Sequence, residues 1–128
     1  MDKINAVPLR EVAGVKFGMK RSEVRKVLGD AREFKKSKFS KTLTDDFGFC
    51  HVFYNSDDEC EAIELFKEVQ VMIGNRLVFP MTLDEAKKIL GELIEDVGSY
   101  ISAKDSVGIY APGGSMESIL FGVAGYYE

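Results

Sequence analysis

Two stretches of the chain share one arrangement of apolar and polar positions. The first, FGMKRSEVRKVLG, spans residues 17–29, and the second, FPMTLDEAKKILG, spans residues 79–91. After a shared Met, apolar residues recur three and four positions apart, which is the spacing of one helix face. Each stretch ends in Gly, the residue preferred at helix C-caps. The pattern predicts two related helices, of which the second either ends at Gly91 or runs one turn further.

The two predicted helices differ at their first residue. Thr82, followed three positions later by Glu85, is the signature of a capping box. In the first copy Lys20 replaces the threonine and cannot accept an amide hydrogen bond, although Glu23 keeps the return contact. A lost cap costs about 1 kcal/mol. The first helix is therefore expected to depend more on tertiary packing.

A polar segment and then a hairpin pattern follow each predicted helix. FCHVFY (49–54) and CEAIELF (60–66) flank the turn NSDDE, and VGIY (107–110) and MESILF (116–121) flank the turn APGGS. Five-residue turns occur in natural hairpins. Phe17 aligns with Phe79, an offset of 62, and Tyr54 aligns with Tyr110, an offset of 56. We interpret the chain as two helix–loop–hairpin units.

The segments between these units indicate how they join. VQVMI (69–73) and RLVF (76–79) flank Gly74-Asn75, a two-residue hairpin signal, and EVAGVKF (11–17) has the pattern of a strand. We predict an α+β fold in a single domain, 1–128, with repeat one at about 11–73 and repeat two at about 76–127. The two tandem helix–loop–β-hairpin repeats would form one antiparallel sheet of about six to eight strands, with both helices on one face.

Composition bounds the class of protein. The chain has 128 residues, of which 45% are hydrophobic and 30% charged, as in an ordinary globular domain. Its beginning lacks the apolar region of a signal peptide, and no run approaches the about 20 apolar residues that span a bilayer. Two cysteines are too few for a disulfide scaffold. We expect a cytoplasmic protein without a membrane partner.

Charge is distributed unevenly along the chain. Residues 20–41 contain nine Lys or Arg against three acids, and residues 45–64 contain seven acids and no Lys or Arg. The segment REFKKSKFSK (32–41) interleaves Phe34 and Phe39 with basic residues, a pattern that suits single-stranded nucleic acid. It equally describes a solvated loop with two aromatic anchors in the core. Because the net charge is −4, we favour the loop and expect no nucleic-acid partner.

Candidate catalytic chemistry is sparse. His51 follows Cys50 directly, and neighbours on a strand point to opposite faces, so the two cannot form a dyad. The register that closes the hairpin most simply places Cys60 opposite Tyr54 and His51 opposite Ile63. The sequence has no zinc-ligand spacing, and DDECE (57–61) lacks the ligand spacing and glycine of a calcium loop. We expect no catalytic residue, metal site or cofactor, and therefore no enzyme.

The two predicted hairpin turns contrast in charge, since one is NSDDE and the other APGGS. An exposed acidic turn suits a basic partner surface, where charge steers association. The alternative is an acidic turn that is merely solvated. The predicted partner-binding residues are Asp45, Asp46, Tyr54, Asp57, Asp58, Glu59 and Glu61.

Two resemblances bear on function. The tandem unit that opens with Phe-Gly-Met-x-Arg-x-x-Val at residues 17–24 resembles the repeat of the β-lactamase inhibitory protein family. The segments VMIGNRLVFPMTLDEAKKIL (71–90), DSVGIYAPGG (105–114) and ESILFGVAGYY (117–127) are similar to small immunity proteins of bacterial polymorphic and contact-dependent toxin systems. The second resemblance implies tight binding of one toxin domain and carries no catalytic residues.

These expectations combine into one hypothesis and its alternatives. The chain is predicted to bind and neutralise a cognate toxin, a basic nuclease domain, by stoichiometric protein–protein interaction. The first alternative is a binding or assembly module of the same repeat fold without a toxin partner. The second is a nucleic-acid-binding domain that uses the basic residues Arg32, Lys35, Lys36, Lys38 and Lys41.

Overall fold

Thirteen strands and two helices make up the structure, a computed structural model that describes the backbone of residues 2–127 and the side chains of residues 3–127. The helices are α1 (Arg21–Leu28) and α2 (Leu83–Leu90). The strands are β1 (Asp2–Val7), β2 (Glu11–Val12), β3 (Val15–Lys16), β4 (Arg32–Phe34), β5 (Thr44–Asp46), β6 (Cys50–Tyr54), β7 (Cys60–Leu65), β8 (Val69–Ile73), β9 (Arg76–Phe79), β10 (Ile94–Asp96), β11 (Ser99–Ser102), β12 (Val107–Tyr110) and β13 (Ser118–Gly122).

These strands form two sheets. A five-stranded sheet has the order β3-β2-β1-β8-β9, in which β1 and β8 run parallel and the other neighbours antiparallel. An eight-stranded sheet has the order β10-β11-β12-β13-β7-β6-β5-β4 and is antiparallel throughout. The fold is therefore mostly β.

The predicted α+β fold, with two helix–hairpin repeats in one sheet and both helices on one face, is wrong. The hairpin at 69–79 does not extend the sheet of the first unit, because β8 pairs with the N-terminal strand β1 from Asp2↔Val69 to Ala6↔Ile73. The polar segments after the helices, interpreted as loops, contain β4, β5, β10 and β11. EVAGVKF, interpreted as one strand, turns back at Ala13-Gly14 to give β2 and β3.

Four consecutive strands follow each helix and pair in chain order. The set β4–β7 and the set β10–β13 meet edge to edge where β7 pairs antiparallel with β13, which brings Ile63 opposite Phe121. Because the order of the second set mirrors that of the first, the central strands of the eight-stranded sheet come from both halves of the chain. Folding of this sheet therefore requires the two halves together.

The start of each helix is hydrogen-bonded to the turn of a hairpin in its own half of the chain. The Cys60 amide donates to the Met19 carbonyl at 2.8 Å, and the Met116 amide donates to the Met81 carbonyl at 3.0 Å. The Arg21 and Leu83 amides donate to the carbonyls of Asp58 and Gly114, at 3.0 and 2.8 Å. Equivalent bonds are related by the offsets of 62 and 56 residues found in the sequence.

One core cluster joins the two sheets and the two helices. Its buried members include Val24 of α1, Ala86 of α2, Val71 of β8 and Val78 of β9. The eight-stranded sheet contributes a cross-strand row of buried side chains, which are Asp45, Val52, Ile63, Phe121 and Val107 in that order. Strand neighbours of this row point to the opposite, outer face of the sheet.

The register of the β6–β7 hairpin differs from the predicted one. Tyr54 lies opposite Cys60, as expected, but a bulge shifts the pairing beyond it, so that His51 lies opposite Glu64 and not Ile63. The extra residue is Glu61, which has no partner in the ladder. A one-residue slip exchanges the two faces of a strand. The bulge allows Cys60 and Ile63, three residues apart on β7, both to join the core.

The helix termini follow the local sequence signals. The Glu85 amide donates to Thr82 Oγ1 at 3.3 Å, and the Thr82 amide donates to Glu85 Oε1 at 3.2 Å, which completes the capping box. At α1 only the return bond forms, from the Lys20 amide to Glu23 Oε1 at 3.1 Å. The second helix ends at Leu90 without a further turn, and Gly91 has a φ of 80°.

Replacing Thr82 with alanine should destabilise the protein by about 1 kcal/mol, because the Glu85 amide loses its acceptor. The measurement is equilibrium unfolding in urea. Thr82→Ser is the matched control, because its hydroxyl keeps an acceptor for the Glu85 amide, and it should cost less. Equal losses in the two variants would contradict the assigned cap.

Candidate functional site

A buried carboxylate lies at the edge of the core, where β5 approaches α1. The side chain of Asp45 is fully buried and accepts from Arg25 Nε at 3.0 Å and Arg21 Nη1 at 2.9 Å. Tyr54 Oη donates to Asp45 Oδ2 at 2.8 Å, and the Arg21 guanidinium lies 4.1 Å from the centre of the Tyr54 ring. Glu33 completes the cluster with a contact of 3.0 Å to Arg25.

Electrostatics in this cluster favour the charged forms. Burial by itself raises the pKa of Asp45, but hydrogen bonds from Arg25 and Tyr54, together with the charge of Arg21, outweigh it and leave that pKa below its ordinary value. Burial and the Asp45 carboxylate raise the pKa of Tyr54. A carboxylate with this many donors is satisfied within the protein. The cluster therefore acts as a support that ties α1 to β5 and β6.

The acidic hairpin turn is also engaged by α1. Asp58 lies 2.9 Å from Arg21 Nη2, although its side chain is about half exposed at 53%. Lys20 Nζ donates to the Asp57 carbonyl at 2.9 Å and lies 3.9 Å from a Glu59 carboxylate oxygen. Basic residues that lie far away in sequence thus partly neutralise the turn.

The predicted partner-binding residues consequently separate into three groups. Asp45 and Tyr54 are buried and cannot touch a partner. Asp57, Asp58 and Glu59 lie together at the hairpin turn beside α1. Asp46 and Glu61 lie on β5 and β7, where Asp46 Oδ1 accepts from the Gly48 amide at 2.8 Å and Glu61 is the bulge residue.

The outer face of the eight-stranded sheet carries a second set of polar and aromatic side chains. One cross-strand row crosses the whole sheet in the order Arg32, Asp46, His51, Glu64, Leu120, Gly108, Ile101, Ile94. Aromatic rings surround His51, with ring centres 4.9 Å from Phe34 and 4.6 Å from Phe66. His51 and Cys50 point to opposite faces of β6, since Cys50 belongs to the core.

Two adjoining grooves lie on this outer face and share Glu64, Tyr110 and Ser118. The larger, of about 320 Å³, is lined by Glu64, Asp96, Ser99, Ile101, Gly108, Ile109, Tyr110, Ser118, Leu120 and Tyr127. The smaller, of about 250 Å³, adds His51, Phe66 and Glu117. Among the described residues that line them, none is Lys or Arg. Ser118 Oγ donates to Glu64 Oε2 at 2.8 Å, which fixes the carboxylate.

The C-terminal tyrosines pack against two strand glycines, and Tyr127 lines the larger groove. Tyr127 lies across Gly108, and Tyr126 lies against Gly122, where an added Cβ would come within 2.7 Å of the Tyr126 Cβ. Glycine inside a strand commonly marks such a close approach. Gly108 and Gly122 were thus a sequence signal for the packing of the C-terminal segment, and the hairpin interpretation did not use it.

The basic segment 32–41 was predicted to place two aromatic anchors, Phe34 and Phe39, in the core. Phe34 is half-buried against His51, but the side chain of Phe39 is 81% exposed, so its prediction as an anchor is wrong. Lys38 Nζ lies 5.2 Å from the centre of the Phe39 ring, and Lys36 Nζ lies 4.2 Å from that of Phe53. An exposed aromatic ring among lysines is a feature of surfaces that stack on single-stranded nucleic acid.

The two cysteines are free thiols in the core. Burial raises the pKa of Cys50 and of Cys60 to about 12 in each case. The thiolate is the reactive form of cysteine, so neither is suited to nucleophilic chemistry at neutral pH. We expect iodoacetamide at pH 8 to label neither residue in the native protein and both in urea. Mass spectrometry measures this, and rapid native labelling would contradict the burial.

Among the side chains of residues 3–127, no three His, Cys, Asp or Glu come together to hold a metal ion. In the same range neither helix is long and apolar enough to cross a membrane. Comparisons with protein-family models, with curated proteins and with solved structures found no match to this chain.

Proposed function

We propose that the protein is a cytoplasmic immunity protein that binds a basic toxin domain and neutralises it stoichiometrically. The observation that carries the proposal is the outer face of the eight-stranded sheet. Its side chains point away from the core cluster, and they combine an exposed tyrosine, Tyr110, with acids. Aromatic residues supply much of the binding energy at protein interfaces.

The charge of the two grooves on this face supports a basic partner. Glu64, Asp96 and Glu117 line its two grooves, and no Lys or Arg of the described residues stands among them. Acidic surface raises the association rate of a basic protein and disfavours acidic competitors. Nuclease domains carry basic surface for the phosphate backbone, which makes them suitable targets for such a face.

The turn at 55–59 has a secondary place in this proposal. Its acids already contact Lys20 and Arg21, and an interfacial charge that is paired beforehand contributes less to a partner. Asp58 and Glu59 are therefore expected to affect the association rate of a basic partner more than its dissociation rate.

The test begins with capture from a lysate of the source organism, using tagged wild type beside Glu64→Arg, which reverses the charge of the one acid that both grooves share. Glu92→Arg is the matched control, since Glu92 is exposed between α2 and β10 and lines neither groove. We expect one basic protein in near-equal amount with wild type and with the control, and a strong loss with Glu64→Arg.

Capture alone does not establish toxin immunity, so the recovered protein is expressed in a laboratory strain. The proposal expects growth arrest that co-expression of this chain relieves. A captured protein without toxicity would instead support the binding-module alternative. Recovery of nucleic acid that is lost when Phe39 and Lys38 are replaced by alanine would support the nucleic-acid alternative, and either result overturns the immunity proposal.

A further inference from the structure

We propose that the larger groove on the outer face, defined by Glu64, Tyr110, Tyr127 and Asp96, receives an arginine side chain of the protein partner. This inference rests on the proposed function and deepens it, because it assigns the contact that anchors the partner. The partner segment is basic and presents the arginine from its surface. The groove is distinct from the acidic hairpin turn predicted from the sequence.

The size of the groove suits a side chain. Its volume of about 320 Å³ lies at the low end of the range of about 300–1,000 Å³ for small-molecule pockets. Leu120 and Ile101 provide an apolar floor, and both belong to the cross-strand row that crosses the outer face. An aliphatic stem with a charged end fits a groove that is apolar along its floor and acidic at its sides.

The Glu64 carboxylate has a fixed orientation and can accept a hydrogen bond from a cationic ligand. Its Oε2 accepts from Ser118, whose residue is only 6% exposed, so the carboxylate is held in a fixed orientation. None of the salt bridges among the described residues involves Glu64. His51, directly opposite on β6, lies 3.8 Å from Asp46. The free Oε1 of a fixed carboxylate is a ready acceptor for a charge-assisted hydrogen bond.

The aromatic walls favour arginine over lysine. Tyr110 is 43% exposed, and Tyr127, which also lines the groove, lies across Gly108. A guanidinium is planar, stacks on aromatic faces and binds carboxylates through parallel donors, whereas an ammonium is a compact, strongly hydrated charge. Asp96 supplies a second carboxylate to the groove. Stacking and two acids together match the guanidinium group.

The test uses a small probe and the isolated protein, so it does not require the partner. N-acetyl-arginine methylamide is titrated into labelled protein while backbone amide resonances are followed by NMR. N-acetyl-citrulline methylamide is the control, because it has the same shape without the charge. We expect saturable shifts at Leu120, Gly108 and Ser99 with the arginine probe only.

Two variants locate the effect. Glu64→Gln keeps an acceptor for Ser118 and removes the charge, and it should weaken binding of the arginine probe about tenfold, as expected for a charged hydrogen bond. Tyr110→Ala removes one wall and should also weaken binding, even if Glu64→Gln were to disturb the fold. Asp84→Asn, on the exposed side of α2, should leave the affinity unchanged.

Several results would overturn the inference. These are equal shifts with both probes, shifts confined to residues outside the groove, or unchanged affinity in Glu64→Gln and Tyr110→Ala. Concentration-dependent shifts without probe, with a doubled mass in sedimentation, would assign the face to a second copy of the chain instead. If a toxin is captured but the arginine probe does not bind, the immunity proposal stands and the groove inference is overturned. If the probe binds but no toxin is captured, the groove inference stands and the immunity proposal is overturned.

Discussion

Replacing Asp45 with alanine is expected to destabilise the protein by roughly 3–5 kcal/mol, the usual cost of removing one partner from a buried charge cluster. Arg21, with a side chain only 13% exposed, would keep its charge without its buried counterion, and the buried hydroxyl of Tyr54 would lose its acceptor. Equilibrium unfolding in urea, with a check that the slope is unchanged, measures the loss.

Asp58→Ala is the matched control, because Asp58 contacts the same Arg21 from a half-exposed position. Exposed ion pairs contribute about 0–1 kcal/mol, so the control should lose far less. Similar losses in the two variants would show that burial of Asp45 does not determine its contribution.

The same cluster predicts an effect of acid. Because the pKa of Asp45 is lowered in the folded state, its stabilising contribution is present above its unfolded pKa of about 4 and is lost as pH falls through the folded pKa. The difference in unfolding free energy between wild type and Asp45→Asn should therefore shrink as the pH falls below about 4. A difference that stays constant from pH 7 to pH 2 would contradict the charged, paired state of Asp45.

Replacing Phe121 with alanine should also cost about 3–5 kcal/mol, the range for deleting a buried aromatic side chain. Phe121 is fully buried on β13, between Ile63 of β7 and Val107 of β12. It therefore lies at the junction of the two halves of the eight-stranded sheet. Thermal or urea unfolding gives the loss of stability.

Leu120→Ala is the control, since Leu120 is the next residue and points to the outer face. It should cost clearly less than Phe121→Ala, because the side chain is only partly buried. A larger loss for Leu120→Ala than for Phe121→Ala would mean that the two faces of β13 are assigned the wrong way round.

Local signals in the sequence were sufficient for the helices and several turns. The helix periodicity, the Thr82 capping box and the Gly74-Asn75 turn involve residues within a few positions of one another, so they are readable without knowledge of the fold. The observed α2 begins after Thr82 and ends before Gly91, as those signals indicate.

Sheet membership was not predictable from such signals. The pairing of β1 with β8 is parallel and joins residues 67 positions apart, from Asp2↔Val69 onwards, and DKINAV has only a weak apolar alternation. The bulge at Glu61 forms because Cys60 and Ile63, which are three residues apart, both pack into the core. Both features are decided by tertiary packing, which overrides local propensity.

The candidate site was missed for a related reason. Acids between 45 and 64 look alike in sequence, but their surroundings separate buried Asp45, helix-bound Asp58 and groove-lining Glu64. One signal was available: Arg21 and Arg25 are four residues apart on one face of α1, a spacing that can hold a single carboxylate between them. The groove is lined by strands from both halves of the chain, so no local sequence pattern predicts it.

Stoichiometric neutralisation is tested most directly by titrating the captured protein, once its toxic activity is measurable, with this chain in purified form. Toxin activity is measured at fixed toxin concentration while this chain is added from zero to two equivalents. We expect a linear fall in activity that ends at one equivalent for wild type and extends well beyond one equivalent for Glu64→Arg. Complete inactivation by a small fraction of one equivalent would indicate an enzyme that acts on the toxin, and undiminished activity at two equivalents would show that the captured protein is not a target of inhibition. Either result would contradict stoichiometric neutralisation.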